Sequence, residues 1–305
     1  LEPCADADIY GYAFTQKLTW QCGKLRTQEN EDGSGHRVDI AIAVLTPLDD
    51  TSAARTPTVV IHGGPGAGIV KAWWSLASTR YVNEGPLILF DQRGVGLSTP
   101  KICPELDEDV HWLDRASPEE LTRIALGDLK DCLASNNLNL AAYGTAATVH
   151  DMETIRKALG IARWNIFGAS YGTTVGLAYM AKHPDRVRAA LLDSLYPPEV
   201  NAFTTVVPDF LSAFGALNKL CAERPKCASR FGDLSASLRR AIATLDANPL
   251  PLTVPGHETH ERYLTGASFA TVVHQRLLFT SEWPYIPLLI SDGERRHASE
   301  LIVRE

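Results

Sequence analysis

Residues Asn165–Lys182 have the sequence NIFGASYGTTVGLAYMAK, and this stretch decides the fold. Asn165–Phe167 is a short apolar run typical of a buried strand, and Tyr171–Lys182 has the residue spacing of a helix. Between them lies the pattern Gly-x-Ser-x-Gly, with its serine at position 170. A serine in a tight strand-to-helix turn is exposed for attack, and the helix N-terminus favours negative charge developing beside it. The sequence therefore predicts Ser170 as a catalytic nucleophile with a backbone φ that is positive or near zero.

A second motif is needed, because glycine and serine are common in any turn between a strand and a helix. Residues His62–Gly66, of sequence His-Gly-Gly-Pro-Gly, directly follow the apolar run Thr58–Ile61. A loop in this position donates one backbone N–H to the oxyanion in hydrolases with this serine turn, and the residue after the serine donates the other. We expect Gly64 and Tyr171 to be these two donors. For His62 we expect a buried, hydrogen-bonded side chain that holds the loop, not a general base.

Apolar runs and helical spacing predict an α/β fold, with a mostly parallel sheet covered by helices on both faces. The expected strands are Val38–Leu45, Thr58–Ile61, Leu87–Phe90, Asn165–Phe167 and Ala189–Leu192. The expected helices in this part are Pro118–Ala134, Val149–Leu159 and Tyr171–Lys182. Beyond residue 200 helical spacing dominates, in Val206–Leu220, Leu234–Leu245, Gly266–Leu278 and Pro287–Ser291, with one short strand at Pro251–Val254. We therefore predict an α/β domain over residues 1–199 and a helical domain over 200–305.

Composition excludes several classes of protein. The 305 residues are 45% hydrophobic and 21% charged, as in ordinary globular proteins, and the formal net charge is −7. No basic, aromatic-interleaved run is present, so nucleic acid is not expected as a partner. No apolar stretch approaches the length of about 20 residues that crosses a bilayer, so a membrane is not expected either. No motif indicates a metal or another cofactor.

The cysteines indicate an oxidising compartment. Six of them lie at positions 4, 22, 103, 132, 221 and 227, in three locally spaced pairs without a metal-type Cys-x-x-Cys. We expect the disulfides Cys4–Cys22, Cys103–Cys132 and Cys221–Cys227, although six cysteines allow fifteen pairings and scattered buried thiols are the alternative. Such bridges favour a secreted or periplasmic protein. The opening Leu-Glu-Pro-Cys, without Met, is interpreted as a processed N-terminus.

Together, His62–Gly66, Gly168–Gly172 and the turn Asp91–Ser98 (sequence DQRGVGLS) resemble the proline iminopeptidase and tripeptidyl aminopeptidase family of serine peptidases. Further matches, including Cys22-Gly23 and Cys103-Pro104-Glu105, resemble the exported bacterial-type branch, and the resemblance spans nearly the whole chain. It implies an α/β-hydrolase core with a helical cap that starts around Val200. We interpret Asp91–Ser98 itself as architecture beneath the site.

A triad acid and base are not identified. In this fold they follow the serine, on loops after later core strands, whereas residues 201–305 are interpreted as cap throughout. The sequence therefore predicts that the last core strands lie outside this chain, that a C-terminal segment or second chain supplies the acid and histidine, and that the chain alone is nearly inactive. Asp193 is interpreted as a strand-end residue. The downstream histidines are interpreted as surface or core residues: His183, His257, His260, His274 and His297.

The resemblance implies an aminopeptidase that acts through an acyl-enzyme on Ser170 and binds peptides with a free N-terminus. A buried ammonium needs an acidic partner, for which Glu282 and Glu261 are candidates. A carboxylesterase of the same fold is the enzymatic alternative, because fold does not fix the acyl substrate. A non-catalytic binding module lacking the acid and base is the third interpretation.

Overall fold

The computed structural model describes residues 1–4, 18–71, 85–103, 117–136, 138–252 and 262–297. The packing of the backbone divides the chain into two units, Leu1–Pro104 with Leu133–Val200, and Glu105–Cys132 with Asn201–Glu305. The bounds of the two predicted domains, residues 1–199 and 200–305, stay a prediction.

A seven-stranded sheet forms the first unit. Its strands are β1 (Glu2–Pro3), β2 (Leu18–Gln28), β3 (Arg37–Pro47), β4 (Thr58–Ile61), β5 (Leu87–Phe90), β6 (Trp164–Ala169) and β7 (Val187–Asp193). Their order is β1-β2-β3-β5-β4-β6-β7. The pairs from β1 to β5 are antiparallel, and β5, β4, β6 and β7 run parallel. The five strands expected before residue 200 lie within β3 to β7, and the predicted α/β fold with a mostly parallel sheet is confirmed.

The helices of the first unit are α1 (Asp50–Ala53), α3 (Thr145–Ala158) and α4 (Tyr171–Lys182), with α2 (Pro118–Asn136) preceding α3 in the chain. Every residue of β5 is buried, as expected for a central strand covered on both faces. Side chains of β4, β6, α3 and α4 share one apolar cluster, among them Ile61, Ile166, Met152 and Val175. This cluster fixes α4, and hence the turn before it, against the parallel strands.

The second unit is mainly helical. It contains α5 (Ala202–Ala222), α6 (Pro225–Phe231), α7 (Leu234–Ala247), α8 (Gly266–Leu277) and α9 (Ile286–Glu294), with a short hairpin of β8 (Leu250–Leu252) and β9 (Arg262–Leu264). Its own core packs side chains from four helices, including Phe214, Leu238, Phe269 and Ile290. The Asp233 side chain caps α7 by accepting from the N–H groups of Ser235 and Ala236.

Disulfides join Cys4 to Cys22 and Cys221 to Cys227, the pairing expected from the sequence. Cys103 and Cys132 are each disulfide-bonded as well.

Within the described ranges, no helix is long and apolar enough to cross a membrane. Over the same ranges, no group of three His, Cys, Asp or Glu side chains is placed to hold a metal ion.

Candidate active site

Ser170 occupies the turn between β6 and α4. Its backbone adopts φ 53° and ψ −123°, a combination that residues with a Cβ rarely adopt and that concentrates at functional sites. The Ser170 N–H donates to the Asp193 carbonyl at 2.9 Å, and the Ser170 carbonyl accepts from the Thr173 N–H at 2.8 Å. The side chain is exposed. The positive φ expected at Ser170 is therefore present, and it turns the hydroxyl outward at the end of β6.

The two glycines of the motif permit a close approach of backbone segments. A Cβ at Gly172 would collide with the Ile61 carbonyl oxygen at the end of β4, and a Cβ at Gly168 would lie 2.6 Å from the Gly172 carbonyl oxygen. Contacts this short do not occur for real Cβ atoms, so only glycine fits at either position. The spacing Gly-x-Ser-x-Gly is thus set by how tightly β6 and α4 pass the end of β4.

The His62–Gly66 loop lies directly against the serine. A Cβ at Gly63 would be 3.0 Å from Ser170 Cβ and 3.5 Å from Ser170 Oγ. Gly64 has φ 114° and is joined to Pro65 by a cis peptide bond. The Gly64 N–H belongs to the peptide bond between Gly63 and Gly64, so it lies close to Ser170. The Tyr171 N–H lies in the first turn of α4, where backbone N–H groups have no acceptor within the helix. Both amides therefore lie next to Ser170 in the chain or in space, and their role as oxyanion donors stays a prediction.

Asp91 holds this loop in place. Its Oδ1 accepts from the N–H groups of Ile69 at 2.6 Å and Val70 at 2.9 Å, and its Oδ2 accepts from the Leu97 N–H at 2.7 Å. The side chain is buried, so these three bonds satisfy a carboxylate that would otherwise be costly to bury. Asp91 thereby connects the segment that follows the glycine loop to the turn after β5.

Arg93, in the same turn, makes a buried bidentate ion pair with Asp151 of α3. The Nε–Oδ2 distance is 2.8 Å and the Nη2–Oδ1 distance is 2.6 Å. Arg93 Nη1 also donates to the carbonyls of Glu29 at 2.7 Å and Ala142 at 2.8 Å. Burial raises the pKa of the Asp151 carboxyl, and the guanidinium of Arg93 acts against this effect. The expectation that Asp91–Ser98 is architectural agrees with these contacts, because Arg93 joins this turn to α3 and to the residue that follows β2.

The family profile described as "alpha/beta hydrolase fold" matches residues 56–288, more than half of the chain. The chain belongs to the α/β-hydrolase fold family. The serine protease Hip1 of Mycobacterium tuberculosis is 31% identical over 252 residues, covering 77% of this chain and 46% of that protein. A proline iminopeptidase of Arabidopsis thaliana is 31% identical over 140 residues, covering 46% of this chain and 27% of that protein.

Among solved structures, the match to the proline iminopeptidase of Mycobacterium smegmatis covers 90% of this chain and 69% of that chain, with 17% identity and a TM-score of 0.41. This hydrolase chain spans about half the length, or less, of the curated relatives it matches. The family profile thus establishes the α/β-hydrolase fold. The proline iminopeptidases among the similar proteins are distant relatives.

Thr173 connects the serine turn of this α/β-hydrolase to the segment after β7, a connection that sequence reasoning missed. Its hydroxyl donates to the Ser170 carbonyl at 2.6 Å and accepts from the Tyr196 N–H at 2.7 Å. The side chain is fully buried.

A second polar cluster lies between α3 and α4. Glu153 accepts from Arg156 at 2.7 Å and from the Tyr179 hydroxyl at 2.9 Å. The Arg156 hydrogen bond is the main cause that lowers the pKa of Glu153 to about 2.

His62 differs from the expectation. Its Nδ1 is buried and has no hydrogen-bond partner in the part of the chain that the structure describes. The predicted hydrogen bond is therefore absent at Nδ1 among the described residues. A sequence can show that a histidine follows a buried strand, but its partner depends on which distant groups pack over the ring.

Some of the other candidate residues belong to the described part of the chain, and the rest lie outside it. Asp193 contacts the site through its backbone carbonyl, and its exposed carboxylate accepts from the Ser194 hydroxyl at 3.2 Å. His183 caps the far end of α4, roughly 18 Å from Ser170 along a 12-residue helix. Glu282, in the second unit, pairs with Arg276 at 2.9 Å. Glu261, His257 and His260 lie outside the described residues.

Proposed function

We propose that this chain is the nucleophile-bearing part of a serine aminopeptidase that forms an acyl-enzyme on Ser170. The observation that carries the proposal is the exposed, positive-φ serine lying against the glycine loop, with Gly63 close to Ser170 Oγ. This arrangement presents a hydroxyl beside backbone N–H groups, as acyl transfer requires. Peptidases among the distant relatives support a peptide as the substrate.

In the proposed reaction, Ser170 Oγ attacks the carbonyl carbon of the scissile peptide bond and loses its proton to a general base. The N–H groups of Gly64 and Tyr171 stabilise the oxyanion, and each contributes about 3 kcal/mol. Collapse of the tetrahedral intermediate breaks the C–N bond and releases the amine, which takes up the proton. Water then hydrolyses the acyl-enzyme and restores Ser170.

The base and its acid belong, in this proposal, to a segment outside the 305 residues. Two observations support this. The outer edge of β7 has no partner strand among the described residues, and the chain covers only 46% of the protease Hip1. A further strand-forming segment on β7 would bring loops to the same end of the sheet as Ser170, because parallel strands share their carboxyl ends. The disulfides support a secreted or periplasmic location.

Recognition of the substrate ammonium separates the peptidase from the esterase. We expect the complete protein to cleave aminoacyl or short peptidyl arylamides and to lose activity when the amino group is acetylated, since an acidic group in the site would lose its charged partner. The measurement is kcat/KM for one substrate in its free and N-acetylated forms. We expect at least a tenfold difference, about 1.4 kcal/mol. Equal values for the two forms would support an esterase.

A fluorophosphonate probe tests the third interpretation, a binding module without catalysis. The complete protein should be labelled at Ser170, because the probe requires an activated serine next to an oxyanion site. The 305-residue chain alone should be labelled weakly, because losing triad partners leaves only residual activation. Absence of labelling in the complete protein would favour the binding module.

A further inference from the structure

A cavity of about 470 Å³ opens in the second unit, among α5, α6 and the segment before α9. Its apolar wall includes Leu217, Phe231, Trp283 and Pro287, together with the Cys221–Cys227 disulfide. Its volume lies in the range of small-molecule sites. All of these residues belong to one unit, so the cavity is a property of the helical part alone.

Three basic side chains, Arg224, Lys226 and Arg230, also line the cavity, and none of the described residues in its lining carries a carboxylate. None of the three pairs with an acidic side chain in the ranges that the structure describes. Two other arginines of this unit are paired: Arg240 with Glu294 at 2.6 Å and Arg276 with Glu282 at 2.9 Å. In a chain of net charge −7, an uncompensated cationic cluster at an apolar opening creates a local field that attracts anions.

The cavity wall is fixed before any ligand arrives. The Cys221–Cys227 disulfide joins the end of α5 to α6 across a separation of six residues. Trp283 Nε1 donates to the Leu277 carbonyl at 3.0 Å, which sets the orientation of the indole. The Arg230 guanidinium lies 5.1 Å from the centre of the Phe231 ring. A wall that is already ordered loses little conformational entropy when it binds.

We propose that this cavity binds an amphipathic anion, a carboxylate carried on an aromatic or branched apolar body. The aromatic and aliphatic wall favours an apolar body, because burying it removes apolar surface from water. The three cations favour a carboxylate, which arginine binds with good geometry. A neutral apolar molecule would make no ionic contact with the three basic side chains, and an inorganic anion would bury none of the apolar wall. A free organic acid and the C-terminus of a peptide share this chemistry.

The proposal does not rest on the chemistry at Ser170. Binding is measured by isothermal titration calorimetry on the complete protein with 3-phenylpropionate, its neutral amide and inorganic phosphate. We expect 3-phenylpropionate to bind at least tenfold more tightly than the amide or phosphate, and more weakly as salt concentration rises. A parallel pair, N-acetylphenylalanine and its amide, identifies the source. Tighter binding of N-acetylphenylalanine than of 3-phenylpropionate indicates a peptide C-terminus, and the reverse order indicates a free acid.

Arg224→Gln and Arg230→Gln should each weaken binding of the carboxylate at least fivefold and leave the weak binding of the amide unchanged. Both side chains are exposed, so the fold should tolerate them, which thermal unfolding checks. Arg239→Gln, an exposed arginine of α7 outside the cavity, is the matched control and should change nothing. Equal binding of carboxylate and amide, equal losses in all three variants, or no binding of either carboxylate would overturn the proposal.

Discussion

Strands β6 and β7 are neighbours in one sheet with similar apolar sequences, yet their surroundings differ. β6 pairs with β4 on one side and β7 on the other, and Ile166 is 1% exposed. β7 pairs only with β6 among the described strands, and Leu191 is 51% exposed. Parallel strands are normally covered on both faces, and an apolar edge strand invites pairing. The comparison shows that β6 is packed on both sides, whereas β7 is the edge strand of the described sheet, where the segment we propose would pair.

The largest expected effect tests the serine that follows β6. In the complete protein, Ser170→Ala should lower kcat/KM at least ~10⁴-fold, because the nucleophile acts as a unit with its base. Steady-state kinetics on an arylamide substrate measure this loss. Ser194→Ala is the matched control, since Ser194 is a nearby serine that also has positive φ, 58°, and it should leave kcat/KM within about twofold. A similar loss in both variants would show that backbone distortion, not the Ser170 hydroxyl, matters.

The next largest expected effect tests the buried ion pair between Arg93 and Asp151. Arg93→Met should lower the free energy of unfolding by about 3 to 5 kcal/mol, because it leaves the Asp151 carboxylate buried without its partner. Urea denaturation measures the change. Arg26→Met is the control, because Arg26 is 65% exposed in its pair with Asp39, and it should cost under about 1 kcal/mol. Equal costs would mean that the buried pair has no special role.

A smaller effect tests the close approach of β4 and α4. Gly172→Ala should lower the free energy of unfolding by about 1 to 3 kcal/mol, since its methyl group would meet the Ile61 carbonyl. Gly127→Ala in α2 has open space around its Cβ and should raise stability by about 0.5 to 1 kcal/mol. Thermal and urea unfolding of both variants give the comparison. A neutral Gly172→Ala would show that the serine turn is looser than described.

The smallest effect tests the edge itself. In the 305-residue chain, Leu191→Lys should change the free energy of unfolding by less than about 0.5 kcal/mol, because the side chain is half exposed. In a longer product that contains the proposed segment, the same change should cost at least ~1 kcal/mol, since pairing would bury this position. Urea unfolding of both lengths measures the difference. Neutrality at both lengths would show that no strand covers β7.

Local sequence was enough to predict the elements that carry the site. The strands Thr58–Ile61 and Leu87–Phe90 were predicted with the bounds that the structure has. Helix Tyr171–Lys182 and the positive φ of Ser170 were predicted as well. These features depend on short apolar runs and on glycines beside one serine, whose physical requirements are met within a few residues of chain.

The tertiary structure alone decided which distant groups meet. Arg93 and Asp151 are 58 positions apart, and the Asp91 carboxylate collects N–H groups from both the glycine loop and its own turn. The sequence likewise did not show that His62 Nδ1 has no hydrogen-bond partner among the described residues. A buried polar atom needs a partner, but packing chooses that partner from the whole chain, so residue type and spacing predict the need and not the contact.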